Sequence, residues 1–409
     1  MGANPLGEAK APSRWLMLAL VWLAYASFGL TAGSLPPLVG SITDDLGVSS
    51  TQMGLVLGAW QLVYIGTATP LGAAVDRFGV RRSIGAGLAV IWLSLALRGL
   101  AVDFFTLFGA VALFGFGGPI ISTGAPKMVS QWFGGGERGL AAGIYNTAPV
   151  SGVAVGLATA PTLVEPLTGS WRGVSLVYGA AVLVVLAVWW MFARDAGTTA
   201  ETSAPAPTGS KSSSAARELL RLRNVRVILL FAVGSFTINH GLQNWLPTLL
   251  RDDGMTAAQA GAWTAAATLA GAGGLLLIPS LARYGSRRWA LAVLLVVTAV
   301  STLGLGTMSG GALVGAMMAG AVVRSGLVAI ALLVLMETRG VGALRMGTAA
   351  GLYFAVAEVG GFGGPFLLGV VRDGTGGLAA GMLALAGLAA ALALLMPLVR
   401  EPREARKNL

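Results

Sequence analysis

Apolar runs of twenty or more residues recur along the chain, separated by short segments where Arg, Asp, Gly and Pro gather. A helix rises ~1.5 Å per residue, so about 20 apolar residues cross a hydrocarbon core of ~30 Å. The breaks predict twelve helices, at 15–42, 51–75, 82–101, 104–129, 140–164, 173–193, 226–250, 257–281, 288–307, 312–335, 347–371 and 377–398. The first run is too long for the apolar region of a signal peptide and has no obvious cleavage site after it, so it is expected to remain as helix 1. One break differs from the others. Between Arg194 and Arg226 lies TTAETSAPAPTGSKSSSAA, whose Ser, Ala, Pro and Thr cannot bury a core. The expected division is a six-helix unit over 1–193, a cytoplasmic linker over 194–225 and a second six-helix unit over 226–409 with a short cytoplasmic tail.

Composition turns this pattern into a class. With 55% hydrophobic and 11% charged residues, and a mean hydropathy of +0.77, the chain lacks the charge that solvates an ordinary soluble surface. Collagenous, disordered and disulfide-scaffold classes are excluded. There is no cysteine and one histidine, hence no disulfide, thiol nucleophile, or cysteine or histidine metal cluster. The 60 glycines, about twice the usual share of ~7%, follow no Gly-X-Y period and fit close approach of transmembrane helices.

Charge sets the orientation. With both termini cytoplasmic, all but five of the 27 Lys and Arg fall in cytoplasmic segments; Arg98, Arg172, Arg251 and Arg372 lie outside and Arg324 within a span. The positive-inside rule is obeyed, and it accounts for the net charge of +10. The competing reading, a nucleic-acid patch, needs clustered charge; here it is spread over seven segments, so no nucleic-acid partner is expected. The expected location is a bacterial inner membrane, crossed many times.

The halves read as repeats. AAGIYNTAPVSGVAVG (Ala141 to Gly156) lies over AAGLYFAVAEVGGFGG (Ala349 to Gly364), matching Gly143 with Gly351, Tyr145 with Tyr353, Gly152 with Gly360 and Gly156 with Gly364. FGVRR (Phe78 to Arg82) lies over YGSRR (Tyr284 to Arg288) at nearly the same offset.

The run from Gly72 through Asp76, Arg77, Gly79 and Arg81 to Arg82 fits G-x-x-x-D-R-x-G-x-R-R, and by it the chain resembles the major facilitator superfamily of secondary transporters. The resemblance implies an all-α integral membrane protein of twelve transmembrane helices in two pseudo-symmetric six-helix bundles. Helices 1, 4, 7 and 10 and parts of 2, 5, 8 and 11 would line a central cavity, with 3, 6, 9 and 12 toward lipid. The segments NWLPTLLRDDGMTAAQAG and PKMVSQWFGGGERGLAAG are similar to the cyanate-permease and monocarboxylate-type branches. Helix 1 lacks the Asn-x-Arg-Pro element of the first branch, so cyanate is not implied.

The motif also has a physical reading. Asp76 ends helix 2 on the side where helix 11 begins, and free N–H groups at a helix start favour an anion, so Asp76 can latch the halves. Arg77, Arg81 and Arg82 can hold carboxylates such as Glu137; the competing reading is a set of topological anchors. Gly351, Gly360, Gly364 and Pro365 fit G-x8-G-x3-G-P, which on helix 5 resembles the antiporter motif of drug exporters. Helix 5 itself carries Leu157 where that proline belongs. Both series read mainly as small-residue surfaces on which opposing helices rock.

Ionisable residues at membrane depth mark function by default. Arg324 sits near the centre of helix 10 and its planar fork suits a carboxylate, making it the first substrate contact; a structural pair with Glu358 on helix 11 competes. His240, midway along helix 7, shares a face with Asn244. Glu358 and His240 are the candidate proton carriers. Pro247 beyond them is a candidate weak point at the outer end of helix 7. In the first half Tyr25, Gln61, Tyr64, Tyr145 and Asn146 offer hydroxyls and amides, and Tyr353 mirrors Tyr145. Lys127 and Arg98, near helix ends, are expected to snorkel to the interface.

These readings converge on a monomeric secondary transporter of a small organic anion such as a carboxylate, coupled to protons and needing no cofactor. A proton-driven drug exporter is the alternative. A membrane enzyme lacks a reactive constellation or nucleotide loop, and a sensor lacks a signalling domain.

Overall fold

The computed structural model describes residues 13–195, 217–282 and 285–399. The predicted linker therefore lies largely outside the described residues, as do Lys10, Lys211, Arg283 and the tail from Arg400 on. The described chain is helical without strands. Its long helices are α1 Arg14–Ser34, α2 Ser50–Phe78, α3 Val80–Gly99, α4 Phe104–Trp132, α5 Glu137–Thr159, α6 Trp171–Phe192, α7 Arg223–Asp252, α8 Ala257–Ala282, α9 Arg287–Thr307, α10 Gly310–Glu337, α11 Gly342–Thr375 and α12 Ala379–Leu395. Of these, 11 are long and apolar enough to cross a membrane by length and composition; α8, at 26 residues, completes the set. The even number of passes brings Arg14 and Val399 to one face, the terminal end; the other is the distal end.

Local chemistry sets the helix starts. Ser49 and Gln52 form a capping box ahead of α2, Asp103 and Thr106 do the same for α4, and Ser170 caps α6. One expectation needs correction: the first span is not a single helix over 15–42. Pro36 and Pro37 supply no N–H, so α1 stops, turns through Pro36–Leu38, and resumes as a short helix over Val39–Leu46. Pro247 has no such effect, and α7 runs through it to Asp252.

Glycines bring the backbones together. On α1 and α5, a methyl at Gly33 would fall 2.5 Å from the Val153 carbonyl oxygen, and one at Gly29 would collide with Pro149. On α7 and α11, Gly360 meets Val233 and Gly364 meets Thr237 in the same way. The repeated glycines thus weld helix pairs within each half, which corrects their expected place between opposing, rocking helices. Gly143 and Gly351, the first of each series, face open space.

Different glycines form the seams between halves. A methyl at Gly54 of α2 would lie 2.5 Å from the Pro365 carbonyl oxygen of α11, and one at Gly58 2.9 Å from Phe362. Gly261 of α8 abuts Leu157 and Pro161, where α5 passes into a π-helical turn at Ala160–Val164. These contacts lie in the distal part of the helices. Toward the terminal end the same faces carry exposed Thr69, Phe354, Gly351 and Gly347. The halves meet distally and part toward the terminal end, leaving a central space open on that side.

Candidate functional site

The residues at mid-depth come mostly from α1, α2, α5, α7 and α11. Tyr25, Gln61, Tyr64, His240 and Glu358 lie close to the midpoints of their helices, so antiparallel packing brings them level. An aromatic wall runs through them. Tyr25 stacks on Tyr145 with centroids 6.4 Å apart, Phe28 meets Trp60 at 5.7 Å, and Trp60 meets Tyr64 at 6.3 Å and His240 at 6.1 Å. The Tyr64 hydroxyl lies 3.2 Å from Ser122 Oγ of α4.

Polar chemistry crosses between the halves here. Gln61 Nε2 and His240 Nδ1 are hydrogen-bonded at 3.1 Å. Gln61 Oε1 is buried without a partner, and so is Glu358 Oε2. The two side chains share the space beside Gly361, where an added methyl would strike the Glu358 carboxylate and come within 3.3 Å of Gln61 Cγ. Glu358 is only 7% exposed.

Arg324 is level with Glu358 but does not pair with it; no ion pair between them is formed. Its guanidinium turns toward the α9 seam, where Nη1 and Ser301 Oγ both crowd Gly320. Nε and Nη1 are buried without hydrogen-bond partners. The other predicted contacts divide. Asn244 donates to the His240 carbonyl at 2.8 Å, one turn from the ring. Asn146 is exposed on the stripe of α5 that leads up to Leu157 and donates to Ala142 O at 2.8 Å. Tyr353 is fully buried against Phe236 of α7, centroids 6.3 Å apart, and lines no open space.

At the terminal end the motif residues stay within their own half. Asp76 pairs with Lys127 of α4 at 2.8 Å rather than capping α11. Arg81 donates to the Trp190 carbonyl at 3.2 Å and lies 5.4 Å over that ring, while Arg77 lies 5.4 Å over Phe78. Glu137, expected among these arginines, instead pairs with Arg14 at 2.6 Å. Lys127 reaches the exposed Asp76 at the terminal end of α2, but Arg98 does not snorkel. Arg98 is 1% exposed, donates to the Thr31 carbonyl at 3.2 Å and lies over Phe114.

The sequence reading missed Asp373. Its two carboxylate oxygens accept from the backbone N–H of Ser50 and Thr51 at 2.9 and 2.8 Å, so the end of α11 caps the start of α2 across the halves. It mirrors the geometry expected of Asp76 at the opposite end. The readable signal was an acid closing span 11 on the side where span 2 opens.

The molecule is thus two apposed helical halves that meet across a polar, aromatic-lined centre. The family model described as Major Facilitator Superfamily matches residues 21–365, and the chain belongs to that superfamily. It is a membrane transporter and not an enzyme.

Among curated relatives it is 32% identical over 181 residues to the probable L-galactonate transporter of Escherichia coli K12, covering 44% of this chain and 39% of that protein. The hexuronate transporter of Bacillus subtilis 168 is 27% identical, with 88% and 90% covered. The 2-nitroimidazole transporter of Escherichia coli K12 is 26% identical, with 93% and 94% covered. A bacterial homologue of the human lysosomal transporter Spinster, solved in an inward-facing, unoccupied conformation, shares the fold with a TM-score of 0.81 at 17% identity over 97% of this chain and 98% of that one.

Proposed function

We propose that the protein is a proton-coupled carrier of a sugar acid or similar small carboxylate. The observation that carries this is a charge balance at mid-depth. Glu358 and Arg324 lie level, buried and unpaired, so an ionised Glu358 balances Arg324 in a medium that penalises net charge. A carboxylate drawn to Arg324 makes the count net negative unless Glu358 takes up a proton. Anion and proton then move together and the centre stays neutral. His240, bound to Gln61, is the second group able to hold that proton.

The aromatic wall and amides fit the body of such a solute: CH faces lie against Tyr25, Trp60 and Tyr145, and hydroxyls meet Gln61, Tyr64, Asn146 and His240. Relatives named for hexuronate and L-galactonate support the same class. On this reading one chain is the transporting unit, its halves over 1–193 and 226–409 rock about the centre, and the terminal end faces the cytoplasm across a bacterial inner membrane.

The test is reconstitution of the protein in proteoliposomes with labelled galacturonate, galactonate and neutral galactose. An inward proton gradient is expected to drive accumulation of the acids but not of the neutral sugar. The aromatic wall, with the relative named for 2-nitroimidazole, favours a second reading, export of a flat aromatic solute against protons. In that case the acids leave the thermal melting point unmoved, 2-nitroimidazole raises it, and the gradient drives solute the opposite way.

A further inference from the structure

Where α7 begins and α12 ends, a cavity of about 220 Å³ opens between Arg223, Arg226, Val227, Leu230, Leu395 and Leu398. It lies at the terminal end, away from the central site. Leu230 and Leu398 are 55% and 41% exposed on its rim, so a basic mouth sits beside an apolar wall at the terminal end of the helices.

The internal repeat supplies a comparison. At the corresponding start of α1, the Ser13 hydroxyl accepts from Trp15 N at 3.2 Å, and Arg14 is paired with Glu137. At the start of α7, Leu222 provides no side-chain cap and the first turn holds no acid. Arg223 and Arg226 make no ion pair among the described residues. Two cations thus stand at a helix end whose partial charge is already positive, an arrangement that an anion relieves. The first half satisfies these groups internally; in the second no described residue pairs with them.

We propose that this cleft binds one anionic phospholipid, its phosphodiester between Arg223 and Arg226 and one acyl chain along Leu230, Leu395 and Leu398. Charge complementarity selects the headgroup, and the leucine wall selects a lipid over a free phosphate. Basic pockets between transmembrane helices are suited to such headgroups.

The experiment is native mass spectrometry of the full chain released from micelles holding equal amounts of phosphatidylglycerol and phosphatidylcholine. The unaltered protein is expected to retain phosphatidylglycerol by roughly tenfold or more over phosphatidylcholine. Arg223→Gln with Arg226→Gln is expected to bring retention to the phosphatidylcholine level. Leu398→Glu, which keeps both arginines but sets a carboxylate in the cleft, is expected to do the same. Arg217→Gln with Arg221→Gln, an equal loss of charge outside the cleft, is expected to change nothing.

Equal loss in that last variant overturns the proposal in favour of bulk surface charge. Unchanged retention in the first variant reduces the arginines to topological anchors. Displacement of the lipid by glycerol phosphate at matched concentration means a free-anion site and also overturns it.

Discussion

At the residue scale, an unpartnered buried carboxylate is costly unless it works, and Glu358 is the acid that the central chemistry can use. Its replacement by glutamine keeps the shape and removes the proton. Glu358→Gln is therefore expected to abolish accumulation driven by a pH gradient while substrate exchange across vesicles without a gradient persists, as counterflow measurements would show. Loss of both would make Glu358 a binding group; retention of both would move coupling to His240. Glycine makes a second, steric prediction. Gly29→Ala drives a methyl into the Pro149 backbone and is expected to cost about 1–3 kcal/mol, the usual penalty for overpacking, whereas Gly143→Ala, in open space, is expected to leave the melting temperature unchanged. The depth of Arg324, His240 and Glu358 was legible because position along a span is position across the bilayer. Their directions were not. Arg324 turns to α9 rather than to Glu358, and nothing in a chain apolar on all sides of its helices announces which way a side chain faces.

At the element scale, the spans were legible because hydrocarbon forces each crossing to satisfy its backbone within one helix. The helices match the predicted ones to within a few residues, except where Pro36 and Pro37 divide the first. Pairing of helices was harder to read, since the glycine repeats mark α1 against α5 and α7 against α11, and the distal seam uses other glycines that no motif flags. That seam is testable at Gly58. A leucine there would meet Phe362 and hold α2 off α11, so Gly58→Leu is expected to increase labelling of Thr51→Cys by an impermeant maleimide. The native chain has no cysteine, which keeps the signal at one site. Gly66→Leu, about two turns further along α2 and facing open space, is the control and should leave labelling unchanged.

At the scale of the whole molecule, α2 and α11 carry an acid at each end of their antiparallel pair. Asp373 of α11 caps the start of α2 at the distal end. Asp76 of α2 stands at the terminal end, where α11 starts, and here is held by Lys127 instead. On the proposed reading, in which the halves alternate between a form closed distally and one closed at the terminal end, the two caps compete: Asp373 would stabilise the first, and Asp76 released from Lys127 the second. A charge at an exposed helix start is worth about 0.3–1 kcal/mol, less at high salt, which shifts a two-state population by roughly two- to fivefold. Asp373→Asn is therefore expected to populate the distally open form and Asp76→Asn the distally closed one. Spin labels at Asp44→Cys and Thr375→Cys, one in each half at the distal end, report the result. The first substitution should raise the long-distance fraction and the second lower it, while the double variant returns toward the native distribution. If both single variants move the distribution the same way, the acids stabilise the fold in general and do not select between its two forms.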